Sequence, residues 1–550
     1  MASSSNTSLS SETTAAGGST PGPVAPKPPI PLLLLALVTG LIFLGPFAYV
    51  VWRNIDLGTD FSEVIWTRET WEPLRRSLLL GSTVAVSSAI IGTGLAWLTI
   101  RTDIPGRRVW RILAPLPLVI PSFVGASALI AAFATGGLVE EILSPIGITD
   151  LPDMKGFRGA WLVLTLFTFP YVYLPVAARF ASLSPSLEES ARMLGRSPWT
   201  VFRTVVIPQS ASSIWAGSML VFLYTISDWG AVERMGYSTL TRDIYSDSLF
   251  NPTRAMGMSL VLGVVALTVV AAERSLGRRR LEVEVVRSRD PLVVPLGRWK
   301  WPAVLGAGAV LGNALVGPAA VFGFWSWRGL SASNPTPGLQ TSLGDLVTPA
   351  INTAQTGLIT AAFAIAIVLP VAWLTARYRS RAGDAANSMI VAGFALPGVV
   401  IALSLVFWVL QSPILGSWYQ TLPLLILAYV LHFGSQATRA AHVAVGAVPR
   451  RLGDAAATLG AGRIRRFFTI ELPLMAPGLL AGAGLVMLST MKELPATRLL
   501  SPPGFETLST EIWSAGERLA LAQESLGALV LIALSGVLTW AVVLRRIDNY

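Results

Sequence analysis

The residues best placed to do chemistry are two acids at the ends of apolar segments, Asp228 in Thr225-Ile226-Ser227-Asp228-Trp229-Gly230-Ala231 and Glu493 in Thr490-Met491-Lys492-Glu493-Leu494-Pro495-Ala496. The chain has no cysteine and only two histidines, His432 and His442. Thiol catalysis, iron–sulfur clusters and zinc-thiolate sites are therefore excluded, and a membrane enzyme or haem protein lacks its usual ligands. Any metal chemistry here falls to oxygen ligands, and carboxylates with tyrosines such as Tyr171 and Tyr173 suit a hard cation like ferric ion. An acid within a spanning helix costs about 2.5–3.5 kcal/mol on insertion scales. Two readings of the pair stand: both guide a cation along a shared axis, or both lock outer helix ends through salt bridges, with Lys492 beside Glu493 and Arg234 beside Glu233 as partners.

The elements that must position these acids are membrane helices. Of 550 residues, 53% are hydrophobic and 13% charged, with mean hydropathy +0.61; soluble domains carry about 25% charged residues. Segments of about 20 apolar residues lie near 31–52, 78–100, 112–134, 160–180, 212–230 and 256–272, then near 302–325, 354–376, 388–410, 421–440, 476–491 and 525–544. The expectation is an all-α integral membrane protein with about twelve spans in two groups of six. Residues 1–29, of which 23 are Ser, Thr, Ala, Gly or Pro, read as a disordered cytoplasmic tail. With that tail inside, the cytoplasmic segments collect 28 Lys/Arg against 12 Asp/Glu, and the opposite side 13 against 19. The net charge of +10 is thus a topology signal that places both termini in the cytoplasm, and it calls for no nucleic acid.

The two groups of six are repeats. Ala96-Trp97-Leu98-Thr99-Ile100-Arg101 recurs as Ala372-Trp373-Leu374-Thr375-Ala376-Arg377, an offset of 276 that Pro121 and Pro397 share. Beyond a longer outer loop the offset becomes 265. The halves are read as 30–273 and 301–550, joined by a basic cytoplasmic linker, 274–300. After the fourth helix of each half comes a loop, within 184–210 and 449–475, in which LEESARMLGRSPWTVFRTVVIP aligns without a gap on LGDAAATLGAGRIRRFFTIELP. Physically each is a short helix, a glycine turn and a second short helix. Ser186 and Glu189 have capping-box spacing, Gly195 and Gly460 suit a left-handed helix end, and Ser197-Pro198 restarts a helix.

An acid, a small residue and Ala, then three residues, Gly, nine residues and aliphatic-x-aliphatic-Pro: this pattern resembles the EAA loop of binding-protein-dependent ABC importer permeases. The resemblance implies the type I importer permease fold. It also implies that Glu189, Ala191, Gly195 and Pro208 form one docking element for a cytoplasmic ATPase, and Asp454, Ala456, Gly460 and Pro473 the other. Ser190 for the first Ala and Asp454 for Glu are mild departures. Lys492-Glu493-Leu494-Pro495-Ala496-Thr497 and Gly504-Phe505-Glu506-Thr507-Leu508-Ser509-Thr510 are similar to ferric iron permeases with two fused halves. That subgroup implies import from a periplasmic ferric-binding protein across the bacterial inner membrane, with relatives that carry thiamine or phosphonates. The chain contains no P-loop pattern, so ATP and Mg would be bound by two copies of a partner ATPase and no cofactor by this chain. A twelve-span proton-coupled secondary transporter is the alternative, suggested by the basic loop 101–108.

Overall fold

The structure, a computed structural model, describes residues 28–56, 58, 64, 66–148, 150–278, 292–332, 341–378, 380–394 and 396–539. The proposed tail, except for 28 and 29, and the middle of the linker, 279–291, lie outside them. The first half contains α1 (Ile30–Asp56), α2 (Arg68–Arg101), α3 (Arg107–Leu113), α4 (Ser122–Phe133), α5 (Phe157–Thr168), α6 (Pro170–Ser182), α7 (Ser186–Met193), α8 (Ile207–Ser227), α9 (Gly230–Arg234), α10 (Leu240–Phe250) and α11 (Pro252–Arg278). The second contains α12 (Gly317–Ser331), α13 (Val347–Tyr378), α14 (Arg381–Phe394), α15 (Gly398–Gln411), α16 (Leu422–Ala447), α17 (Arg450–Thr458), α18 (Leu472–Met491), α19 (Pro495–Leu500), α20 (Leu508–Glu517) and α21 (Leu521–Thr539). Helices are the expected solution, because lipid leaves every backbone donor and acceptor to be satisfied within the segment.

Among the described residues ten helices are long and apolar enough to cross a bilayer, or eleven if the bent pair α14–α15 is one span. That agrees with the expectation of about twelve spans in two groups of six, with differences of detail in the third and fourth segments. Pro121 stands immediately before α4 at φ −61° and ψ 145°, and Pro397 before α15 at φ −57° and ψ 146°. A proline lacks the amide to continue a helix and pushes its predecessor out of the α region. The third segment of each half is accordingly broken, and α14 and α15 meet at 99°. The segment at 421–440 does lie in one helix, the 26-residue α16, but it is not among the ten. His432, Gln436 and Arg439 dilute its apolar character.

Close backbone approach binds the first half. A Cβ on Gly92 of α2 would lie 2.8 Å from the Phe169 carbonyl oxygen, and one on Gly217 of α8 would lie 2.7 Å from Val172 Cα. Small residues at such crossings replace the hydrophobic drive that lipid does not supply. The halves also interlock. Helix α1 packs on α13, α14 and α15, with Phe43 in a notch where a Cβ on Gly434 would fall 2.2 Å from its ring and one on Gly393 2.6 Å from its carbonyl oxygen. Helix α12 packs on α21 within its own half and reaches across to α4.

Candidate functional site: paired docking loops and the seam acids

Both loops form as their spacing dictates. Helix α7 ends at Gly195 with φ +76°, and α17 at Gly460 with φ +80°, the left-handed conformation that glycine adopts at least cost. Ser197 caps the next turn by accepting from the Thr200 amide at 3.2 Å, and Pro198 opens it. The capping box at Ser186 is not formed. Pro185, already helical at φ −63° and ψ −25°, takes the capping place, which puts Ser186 inside the helix, where its hydroxyl pairs with Ser184 at 3.0 Å.

After the turn the repeats agree in a feature that pattern reading missed. Phe202–Val206 and Phe467–Glu471 are both single π-helical turns, at matched positions, leading into α8 and α18. Pro208 and Pro473 sit in the first turn of those helices, where a missing amide costs nothing. Each loop is pinned to the second helix of its half by one ring contact. Trp97 meets Phe202 at 5.3 Å between centroids, and Trp373 meets Phe467 at 5.8 Å.

What the loops present outward is apolar. Leu194 and Leu459 are 82% and 88% exposed, and Met193, Trp199, Ile464 and Phe468 are exposed beside them. Glu189 and Asp454 are exposed, and among the described residues neither takes part in an ion pair. Ala456 is buried and Ala191 half-buried, so the small residues back the helices against the body of the protein. Each loop thus presents exposed leucines beside an exposed carboxylate.

The first loop has a second fastening. Arg101, at the end of α2, is fully buried and donates to Glu188, also buried. The acid in the repeated motif, Glu189, is the exposed neighbour. The signal was present in the sequence: Arg101 and Arg377 are matched, yet Glu188 faces Gly453 in the alignment.

At the other end of α8 and α18, Asp228 and Glu493 occupy equivalent and buried places. The expected salt-bridge locks are corrected. Lys492 reaches across to the first half, donating to the Leu118 carbonyl at 2.6 Å. Glu233 pairs with Arg242 at 2.9 Å, and Arg234 with Glu524 at 3.2 Å. Both acids instead hold backbone. Asp228 accepts the Ala231 amide at 2.9 Å and Glu493 the Ala496 amide at 3.1 Å, each three residues ahead. Asp228 also accepts from the Ser122 hydroxyl at the start of α4, and His432 Nδ1 lies 3.6 Å from Glu493. The rings of Tyr171 and Tyr224 are 5.6 Å apart. Tyr173 is turned elsewhere, with its hydroxyl 3.1 Å from Thr99. Among the described residues no group of three or more His, Cys, Asp or Glu could hold a metal ion.

The outer seam between the halves is closed by aromatics. Trp513 of α20 lies 4.8 Å from Trp229 between ring centroids, and the Arg234 guanidinium sits 4.2 Å over the Trp513 ring while donating to its carbonyl at 3.0 Å. Nothing in the spacing of Arg234 and Trp513, 279 residues apart, announces this contact.

Comparison with known proteins agrees with the geometry. The pattern of the family described as "Binding-protein-dependent transport system inner membrane component" matches residues 88–272 and 368–548. The chain is similar to the Fe(3+)-transport system permease protein FbpB 2 of Haemophilus influenzae, with 28% identity over 517 residues, 93% of this chain and 97% of that protein. It is also similar to the molybdenum transport system permease protein ModB of Escherichia coli, 29% identical over 30% of this chain and 72% of that protein. The sulfate transport system permease protein CysT of Escherichia coli is 26% identical over 37% of this chain and 74% of its own length.

Proposed function

Because the chain belongs to the inner-membrane components of binding-protein-dependent transport systems, we propose that it is the whole permease of an ATP-driven importer of ferric iron. In this reading a periplasmic ferric-binding protein delivers the cargo, and two copies of a cytoplasmic ATPase dock on the two loops. The observation that carries it is the pair of matched loops, each with an exposed leucine, Leu194 or Leu459, beyond an exposed carboxylate, Glu189 or Asp454. ATP binding would draw the ATPase copies together, and the loops would transmit that closure through the π-helical turns into α8 and α18. Family membership replaces the proton-coupled secondary transporter reading.

Iron is supported by similarity running nearly end to end to one Fe(3+) permease. The similarity to molybdenum and sulfate permeases covers about a third of the chain and favours, as the second reading, an oxyanion cargo in the same machine. Asp228 and Glu493 belong to the iron reading as the acids that flank the path at the seam. Matched position and burial support that role, and backbone capping is what each does in the fold. Both termini and the linker lie on the cytoplasmic side in this scheme.

The test is radio-iron uptake into proteoliposomes holding the chain, its candidate ATPase and a ferric-binding protein. Uptake that requires ATP and the binding protein, and survives collapse of the proton gradient, is expected. Absence of iron uptake together with ATPase stimulation by a molybdate- or sulfate-loaded binding protein would move the cargo to the oxyanions. Iron uptake that persists with both acids neutralised, at unchanged expression, would remove Asp228 and Glu493 from the path.

A further inference from the structure

The segment that follows α2 and the end of the linker are brought to one edge of the protein. Val294 donates its amide to the Arg101 carbonyl at 2.8 Å, Leu296 donates to Asp103 Oδ1 at 2.7 Å, and Lys300 Nζ lies 2.7 Å from Asp103 Oδ2. These contacts set α3 beside the helix Lys300–Leu311, where a Cβ on Gly308 would meet the Trp110 ring at 3.9 Å. The charge of this edge is one-sided. Residues 102–116 and 292–305 hold five basic side chains, Arg107, Arg108, Arg111, Arg298 and Lys300, and one acid, Asp103. Lys300 takes up that acid, and Arg111 donates to the Thr99 carbonyl at 2.9 Å. Arg107, Arg108 and Arg298 are exposed. Trp299 and Trp301 are exposed with them, indoles of the kind that mark the level of the headgroups.

From this rim an apolar stripe leads into the membrane. Trp301, Leu305, Ala309 and Asn313 are all exposed and stand four residues apart, on one face of the helix. From Trp301 to Asn313 the helix rises about 18 Å, slightly more than half of the roughly 30 Å hydrocarbon core. At that depth the stripe enters a cavity of about 520 Å³, which Ala309, Val310 and Asn313 share with Leu129 and Phe133 of α4 and Leu166 of α5. Further along, α12 is fastened to the first half, Trp325 donating to the Ala131 carbonyl at 3.0 Å and Arg328 to the Gly136 carbonyl at 2.6 Å. Exposed apolar residues on a spanning helix need only lipid tails around them. A basic rim at one end and a cavity at the other decide which lipid, and where it lies.

We propose that this notch between the halves binds one anionic phospholipid, its phosphate held by Arg107, Arg108 and Arg298 and an acyl chain laid along Trp301, Leu305 and Ala309 into the cavity. Basic pockets between spanning helices take anionic headgroups, and a zwitterionic lipid gains no such attraction. A free anion would use the rim alone and leave the cavity aside. The lipid belongs to the leaflet on the linker's side, cytoplasmic in the scheme above. It fills the joint between α4 and α5 of the first half and the helix that opens the second.

The chain has no native cysteine, so a single bimane fluorophore at Leu305→Cys reports the stripe in the reconstituted full-length chain. A second, at Ile90→Cys on an exposed position of α2, reports ordinary lipid contact. Phosphatidylglycerol brominated on its acyl chains should quench the label at 305 at about a tenth of the mole fraction that brominated phosphatidylcholine needs. At 90 the two lipids should quench alike. Arg107→Gln with Arg108→Gln should abolish the preference at 305, and Arg298→Gln, on the linker wall, should weaken it severalfold if the double variant fails to insert. Ala309→Trp, which plugs the stripe at the mouth of the cavity, should also remove it. A preference equal at 305 and 90, or one unchanged in the arginine variants or in Ala309→Trp, overturns the proposal. So does recovery of fluorescence at 305 on adding glycerol phosphate, which would show an anion site without a lipid tail. Uptake enters none of these readouts, so their failure leaves the transport reading untouched.

Discussion

Asp228 and Glu493 solve the same packing problem with complementary volumes. In the first half the shorter acid meets the hydroxyl of Ser122 at the start of α4. In the second, the matching position of Ser122 is Gly398 at the start of α15, and a Cβ there would lie 2.9 Å from Glu493 Oε1 and 2.7 Å from the His432 ring. The longer acid fills the place that the serine side chain fills in the other half. Each arrangement joins the end of the fifth segment to the helix that begins after a break of the same geometry at Pro121 or Pro397.

Gly398→Ser should therefore destabilise the protein by about 1–3 kcal/mol, the usual cost of overpacking. Combined with Glu493→Asp, which reproduces the first half's chemistry, most of that loss should return. Thermal unfolding of the purified single and double variants measures it, and simple additivity of the two losses would show that the residues do not share space.

Gly195→Pro and Gly460→Asp should leave membrane insertion intact and uncouple the ATPase. Proline cannot reach φ +76°, and a side chain in the left-handed region costs about 1–2 kcal/mol, enough to turn an exposed loop away from its docking geometry. ATPase stimulation by loaded binding protein is the readout, and two normally coupled variants would refute the assignment of these loops.

Linker docking should depend on acid pH. Lys300, then the Leu296 amide, hold the Asp103 carboxyl below the ordinary carboxylate range. A carboxylate with a depressed folded-state value contributes its stabilisation above its unfolded value, about 3.9, and loses it as pH falls through the folded one. Protease cleavage of the linker should stay constant from neutral pH down to about pH 4 and rise only below it. Asp103→Asn should show rapid cleavage with no acid transition.

Arg234→Met should be among the more damaging substitutions at the outer seam. It strands Glu524, whose side chain is 6% exposed, and removes the cation over Trp513. A loss of about 3–5 kcal/mol is expected, with part of it recovered by Glu524→Gln in the same chain. Thermal unfolding of both variants distinguishes this from a surface ion pair, for which Arg234→Met alone would shift stability by less than about 1 kcal/mol.

Much of the site was legible because its signals are local. Gly195 and Gly460 declare a left-handed turn by being glycine at a helix end, and Ser197-Pro198 declares the restart of a helix. Glu189 and Asp454 were found because the motif repeats without a gap. Arg101 and Glu188 were not found, because the pair joins residues 87 apart and only one half has it, so comparison of the repeats points away from it. The acids at 228 and 493 were found as a pair, while their backbone partners were misjudged: burial favours the nearest amide, three residues on, over a charged neighbour such as Lys492 that can reach another carbonyl.

The sequence by itself determined a membrane-embedded helical chain, its duplication and the helix–glycine–helix form of its two matched loops. Those follow from hydropathy, charge bias and short spacings, which act within one segment and survive without a partner helix. The tertiary structure alone decided where the third segments break, which half α1 leans on, how Trp513 and Arg234 close the seam, and that Val294, Leu296 and Lys300 of the linker dock on the end of α2. Each of these depends on space left by residues hundreds of positions away, and space is created only when helices pack.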